Sequence, residues 1–178
     1  MIDFGLVDAI DAEAIGEPGH RTFRIRARAG ATYAELWLEK GQLEALGRGI
    51  SQLLAERAPR QTATTPATSR LDQFALNPDV TLEVVRLAID FEPDPERVIV
   101  IADDQPGMER GDTPTFRMEL PRADALGLVR TITNVVAGGR PRCPLCAQPL
   151  VGEGSHFCPG SDGQTFEIPI PGPDDRQA

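Results

Sequence analysis

Cys143, Cys146 and Cys158 are the only three cysteines of the chain, and His156 lies between the second and the third. Their spacing reads Cys-x2-Cys-x9-His-x-Cys. Two cysteines separated by two residues lie on a tight turn that points both sulfurs at one ion. Pro144 sets that turn, and free backbone N–H groups there can donate to the thiolates. Cys143, Cys146, His156 and Cys158 supply the four soft or borderline ligands of a closed tetrahedral site. Zn2+ is the expected ion, with iron as its rival. A full set of protein ligands leaves no open position for a substrate, so the expected role is structural. The stretch from Gly138 to Gly163 is rich in Gly and Pro, and a metal can supply the folding energy that so small a core lacks. Three other readings compete. One is a Cys143–Cys146 redox disulfide, although Ala147-Gln148-Pro149 does not continue as the helix such a pair needs. Another leaves the thiols unliganded, and the last puts Asp162 or water in place of His156.

Other residues invite weaker readings. Gly16-Glu17-Pro18-Gly19-His20-Arg21 precedes a strand whose outward row is Arg24, Arg26 and Arg28. Glu17 and His20 could exchange protons, while His20, Arg21, Arg24 and Arg26 could hold an anion such as a phosphorylated small molecule. The structural alternative is a hairpin turn with an ion-paired arginine row beyond it, and it is preferred. Arg140 and Arg142 flank the cysteine turn and could touch nucleic acid. Asp90, Glu92, Asp94, Glu96, Asp103 and Asp104 read as solvated loop charges, since nothing spaces them as a two-metal set. There is no phosphate-binding glycine loop, nucleophile elbow or His-Glu-x-x-His.

These groups need a scaffold, and the apolar pattern supplies one. Residues 22–29 alternate strictly, with Phe23, Ile25, Ala27 and Ala29 on the buried side. Gly30-Ala31 makes a two-residue hairpin turn, and the strand returns over residues 32–39. That register sets Ile25 against Leu36, Phe23 against Leu38, Arg26 against Glu35 and Arg24 against Trp37. A helix follows on Leu43, Leu46, Ile50, Leu53 and Leu54, with Gly47 and Gly49 permitting close packing on the sheet. Residues 60–79 form a linker, anchored by Leu71, Phe74 and Leu76. Beyond it, Val85, Leu87, Ile89 and Phe91 alternate, Glu92–Glu96 turns, and Val98–Ile101 is apolar on both faces, as a central strand is. Residues 105–114 read as a polar loop, and Phe116, Met118 and Leu120 point inward from the next strand. Pro121 opens a helix with a stripe of Ala125, Leu128, Ile132 and Val135, which Gly138-Gly139 stops.

The stretches 12–57 and 80–138 look alike, each ending in strands and one helix, as an internal β-β-α duplication would. Ala45-Leu46-Gly47 matches Ala125-Leu126-Gly127, and after two extra residues Ile50–Ala55 matches Ile132–Ala137 in type. The expected fold is α+β: a mostly antiparallel sheet on two helices over residues 1–138, a zinc-ribbon-like knuckle at 139–163 and a tail at 164–178.

The chain has 178 residues, 18 basic and 27 acidic, for a net charge of −9. That balance opposes broad binding to nucleic acid or anionic membrane. No apolar run approaches the roughly 20 residues of a membrane span. Met1–Gly5 lacks the start of a signal peptide, and the few clustered cysteines suit a reducing, cytoplasmic setting. Lys40 is the only lysine, as codon bias toward arginine produces.

Residues 15–23 (Ile-Gly-Glu-Pro-Gly-His-Arg-Thr-Phe), Leu38-Glu39-Lys40, the run from Gly138 to Cys146 and His156-Phe157-Cys158-Pro159 together resemble the bacterial family of domain of unknown function 3090. The resemblance spans about residues 3–163, with His20 where the family pattern has Gln and Ala147 where it has Gly. It implies no established activity. From the closed ligand set, the expected function is a non-enzymatic binding or adaptor module with a structural zinc site and a protein partner. The alternatives are a hydrolase or transferase using the Glu17–Arg21 loop, and nucleic-acid binding through the knuckle.

Overall fold

The computed structural model describes residues 1–17, 20–57, 74, 77–111, 113–138, 155–157 and 167–169, the last two stretches by backbone alone. The first unit, Met1–Val136, is α+β. Its chain order is β1 (Ile2–Leu6), β2 (Ala9–Ile15), β3 (Thr22–Ala29), β4 (Thr32–Leu38), α1 (Lys40–Ala55), β5 (Val80–Glu83), β6 (Arg86–Pro93), β7 (Glu96–Asp103), α2 (Gln105–Arg110), β8 (Phe116–Pro121) and α3 (Arg122–Ala137).

The described residues of this unit form two mixed four-stranded sheets where one mostly antiparallel sheet was expected, ordered β2-β3-β4-β5 and β1-β8-β7-β6. The hairpin β3–β4 has the predicted register, with Ile25 opposite Leu36 and Arg24 opposite Trp37. Gly30 turns the chain at φ 61°, a backbone region that favours glycine. The strands that change the architecture are β1 and β5. Each runs parallel to the last strand before a helix: β5 beside β4, and β1 beside β8. A parallel pair needs a distant partner, and a four- or five-residue strand carries little periodicity of its own. Residues 105–114 also differ from expectation, because α2 forms there. The Asp104 carboxylate caps it by accepting the Gly107 N–H at 2.8 Å, and proline stands in its first turn. Pro121 ends β8 rather than opening α3.

The two sheets correspond strand by strand. Ile25 opposite Leu36 in the first matches Val100 opposite Met118 in the second, and Phe23–Leu38 matches Val98–Leu120. The added strands are held alike: Val84 N–H donates to Trp37 O at 2.8 Å, and Val7 N–H to Glu119 O at 3.0 Å. The match continues unbroken into the helices. Buried Leu43, Leu46 and Ile50 take the places of buried Ala125, Leu128 and Ile132. This equivalence keeps Ile50 matched to Ile132 and matches Leu46 to Leu128 rather than Leu126, so the two extra residues are not needed.

Ile25, Leu36, Val98, Val100, Phe116, Met118 and Leu120 are fully enclosed, and removing about 25 cal/mol of unfavourable hydration per Å2 makes this core the main stabilising element. β7 is central, as its two apolar faces required. A Cβ on Gly47 would come within 3.0 Å of Ile132 Cγ2, so this glycine lets α1 approach α3; a Cβ on Gly49 would instead lie 3.0 Å from Ile89 Cδ1 of β6. The Arg122 guanidinium donates to Leu54 O at 2.8 Å and to Arg57 O at 2.7 Å, closing the carbonyl end of α1. Among the described residues no helix is long and apolar enough to cross a membrane.

In the second unit, Ala137–Ala178, β9 (Ser155–Phe157) pairs antiparallel with β10 (Glu167–Pro169). β10 lies among residues that the sequence reading placed in the tail.

Candidate functional site

The arginine row lies on the outer face of the β2–β5 sheet, and carboxylates from both neighbouring strands meet it. Arg24 bonds Glu13 through Nε and Glu35 through Nη1, the latter at 2.7 Å. Arg26 Nη2 reaches Asp11 at 2.7 Å and Glu13 at 3.4 Å. Arg28 Nε reaches Asp8 at 2.7 Å. The predicted cross-strand neighbour of Arg26, Glu35, is in register but gives its charge to Arg24 and accepts the Tyr33 hydroxyl. The reason is β3's central place: its arginines lean to β2 as well, where Asp11 stands opposite Arg26 and Glu13 opposite Arg24. Two rings complete the layer. The Arg24 guanidinium stands 5.3 Å from the Trp37 ring, as the register predicted, and Arg26 lies 4.7 Å from the ring of Phe74. Arg26 and Glu35 are each only 7% exposed.

Charge states follow from this matching. Burial works against the Arg24 cation, but its bond to Glu13 and the charges of Glu13 and Glu35 hold its pKa above the ordinary value. Burial, followed by the bond to Glu35, pushes the Tyr33 hydroxyl up to about 12. A bound anion would have to displace carboxylates already in place.

The neighbouring loop is a turn. His20 N–H donates to Glu17 O at 3.0 Å, and Arg21 Nε to Gly16 O at 3.2 Å. Gly16 has φ 99°, and a Cβ there would sit 2.9 Å from His20 O. Glu17 and His20 are exposed on this turn. The structure therefore joins Arg24 and Arg26 to Asp11, Glu13 and Glu35 in one layer and leaves Glu17 and His20 at the hairpin end.

Cys143, Cys146, Cys158, Arg140 and Arg142 lie outside the described residues, and of His156 the backbone alone is described. That backbone stands opposite Ile168 in the β9–β10 pair. Three thiols and an imidazole are a donor set that suits zinc. Among the described residues no group of three His, Cys, Asp or Glu is placed to hold an ion.

Two features escaped the sequence reading. Asp103 is not a solvated charge: it is 1% exposed, accepts the Thr115 N–H at 2.8 Å and pairs with Arg86 at 2.8 Å. Its neighbour Asp104 accepts the Thr115 hydroxyl at 2.8 Å, which with the Gly107 N–H holds its carboxyl below the usual range. The other feature is an apolar groove of about 310 Å3 between α1 and β6. Gln42, Ala45, Leu46 and Gly49 line one wall, and Val85, Leu87, Ala88 and Ile89 the other. Val85 is 46% exposed there. The small residues Ala45 and Gly49 on one helix side were its only sequence signal.

Comparison with curated proteins and with solved structures finds no match. The family model described as "Protein of unknown function (DUF3090)" matches residues 2–158. The chain belongs to that family.

Proposed function

We propose that the protein is a non-enzymatic binding module for a protein partner, with a structural zinc ion held by Cys143, Cys146, His156 and Cys158. The open apolar groove between α1 and β6 carries this reading, because an exposed apolar surface suits association with a partner. The matched arginine layer supports it: Arg24, Arg26 and Arg28, which a phosphorylated substrate would need, are already paired with Asp8, Asp11, Glu13 and Glu35. The net charge of −9 favours a protein partner over nucleic acid or an anionic membrane. When bound, the zinc supplies folding energy to its segment. The confinement of all three cysteines to one ligand-spaced stretch supports a reducing, cytoplasmic setting.

Retention of partners from native extract by the full chain tests this reading. Ala45→Trp, which fills the groove from an exposed helix position, should abolish retention, and Arg24→Gln should leave it. The opposite pattern would favour the anion-binding enzyme.

A further inference from the structure

The groove has an edge strand as one of its walls. Among the described residues β6 pairs with β7 and with no other strand. An edge strand beside a helix offers main-chain donors and acceptors together with side-chain pockets, which is what an added strand requires.

The internal correspondence supplies a control. Val85 N–H donates to Asp103 O at 2.7 Å, as Asp8 N–H donates to Arg28 O at 2.9 Å, so β6 takes the place of β2. Leu87 and Ile89 therefore occupy the places of Ile10 and Ala12. Ile10 and Ala12 are 6% and 3% exposed, whereas Leu87 and Ile89 are only half-buried. The same position is closed in one half and open in the other.

The outer side of β6 differs in charge as well. Asp90 corresponds to Glu13, which is bonded to Arg24; Asp90 instead faces Ile99 and accepts the Phe91 N–H at 2.8 Å. Glu92 stands opposite Arg97, which is bonded to Glu119. Asp90 and Glu92 are exposed, and neither forms an ion pair with a described residue. A strand added at this edge would set its outer side chains across from these two carboxylates and its inner ones in the groove. Oppositely charged cross-strand neighbours stabilise such a pair. A second copy of β6 paired antiparallel about Phe91 would set Asp90 against Glu92, like against like.

We propose that β6 is completed by an extended segment of a partner protein, with apolar residues toward α1 alternating with Lys or Arg toward Asp90 and Glu92. This rests on the binding-module reading.

The test is selection of a random short-peptide library displayed on phage against the full chain, followed by the same selection against Ala45→Trp and Asp90→Lys/Glu92→Lys. The variants should unfold in urea as the parent does. Peptides alternating apolar and basic residues are expected. Ala45→Trp or N-methylation of alternate peptide amides should weaken them at least about tenfold. The charge-reversed chain should select acidic residues at the outer positions. Amphipathic helical peptides blocked by Ala45→Trp would overturn strand addition and leave the binding module standing. Peptides that ignore the charge reversal, or a chain that self-associates through β6, would overturn it too. Recovery of no peptide, with native partners indifferent to Ala45→Trp, would overturn both readings.

Discussion

Replacing Arg24 by Met separates a structural arginine layer from an anion site. The side chain is 21% exposed and bonds Glu13, at 25%, and Glu35, at 9%. Methionine keeps much of the stem's apolar contact with the sheet and removes the charge. Glu35 then keeps the Tyr33 hydroxyl but loses its cation, and Glu13 keeps Arg26 at 3.4 Å. Breaking a fully buried ion pair costs roughly 3–5 kcal/mol, and partial exposure lowers that to about 2 kcal/mol here. Loss of the Trp37 contact adds about 0.5–1 kcal/mol. Arg24→Met should therefore lose about 2–3 kcal/mol in urea unfolding with an unchanged m-value. Arg24→Met/Glu35→Gln should recover part of it, a coupling that a double-mutant cycle measures. If three neighbouring arginines instead awaited an anion, removing one would relieve repulsion. Arg24→Met would then be neutral or stabilising, and millimolar phosphate would raise the stability of the parent chain. Either result refutes the structural reading of the row.

Four further outcomes follow. Gly107→Ala places a Cβ 1.9 Å from Thr115 Oγ1 and should destabilise by about 1–3 kcal/mol in thermal or urea unfolding. Gly41→Ala, in an exposed helical turn with nothing near, should stabilise by about 0.5–1 kcal/mol. Tyr33 is raised from 10.0 to about 12, so its contribution to stability is complete below pH 10. It falls as the pH rises toward 12, because the unfolded chain gives up that proton first. Tyr33→Phe should flatten the fall in a stability–pH profile. Cys143→Ser should remove bound zinc and raise amide exchange in the C-terminal unit, with amides of β3, β4, β7 and β8 unchanged. Global unfolding of that variant would mean that the ion holds the whole chain together.

Much of the main unit was legible from local pattern. Strict alternation in residues 22–29 fixed the β3–β4 register because one face is buried, and a one-residue slip would expose Phe23 and Ile25. Likewise the stripes through Leu43, Leu46 and Ile50 and through Ala125, Leu128 and Ile132 gave the buried faces of α1 and α3. What escaped depends on distant partners. β1 and β5 exist because β8 and β4 leave edges beside which they can run parallel, and nothing in Ile2–Leu6 names Phe116. Arg26 chose Asp11 over Glu35 because β3 has a neighbour on each side. The α2 cap was readable, since Asp104 followed by Pro106 and Gly107 is a helix start, but a Gly-containing polar run suggested a loop. Groove and acidic edge emerged only when α1 was set beside β6. The metal ligands rest on spacing and donor chemistry.

The most direct measurement is X-ray absorption at the zinc edge of the full chain purified without added metal. One zinc per chain is expected, with three sulfurs at about 2.3 Å, one nitrogen at about 2.0–2.1 Å and no oxygen in its first shell. A chain without zinc, or a zinc carrying an exchangeable solvent oxygen, would contradict a metal that serves only to hold the fold.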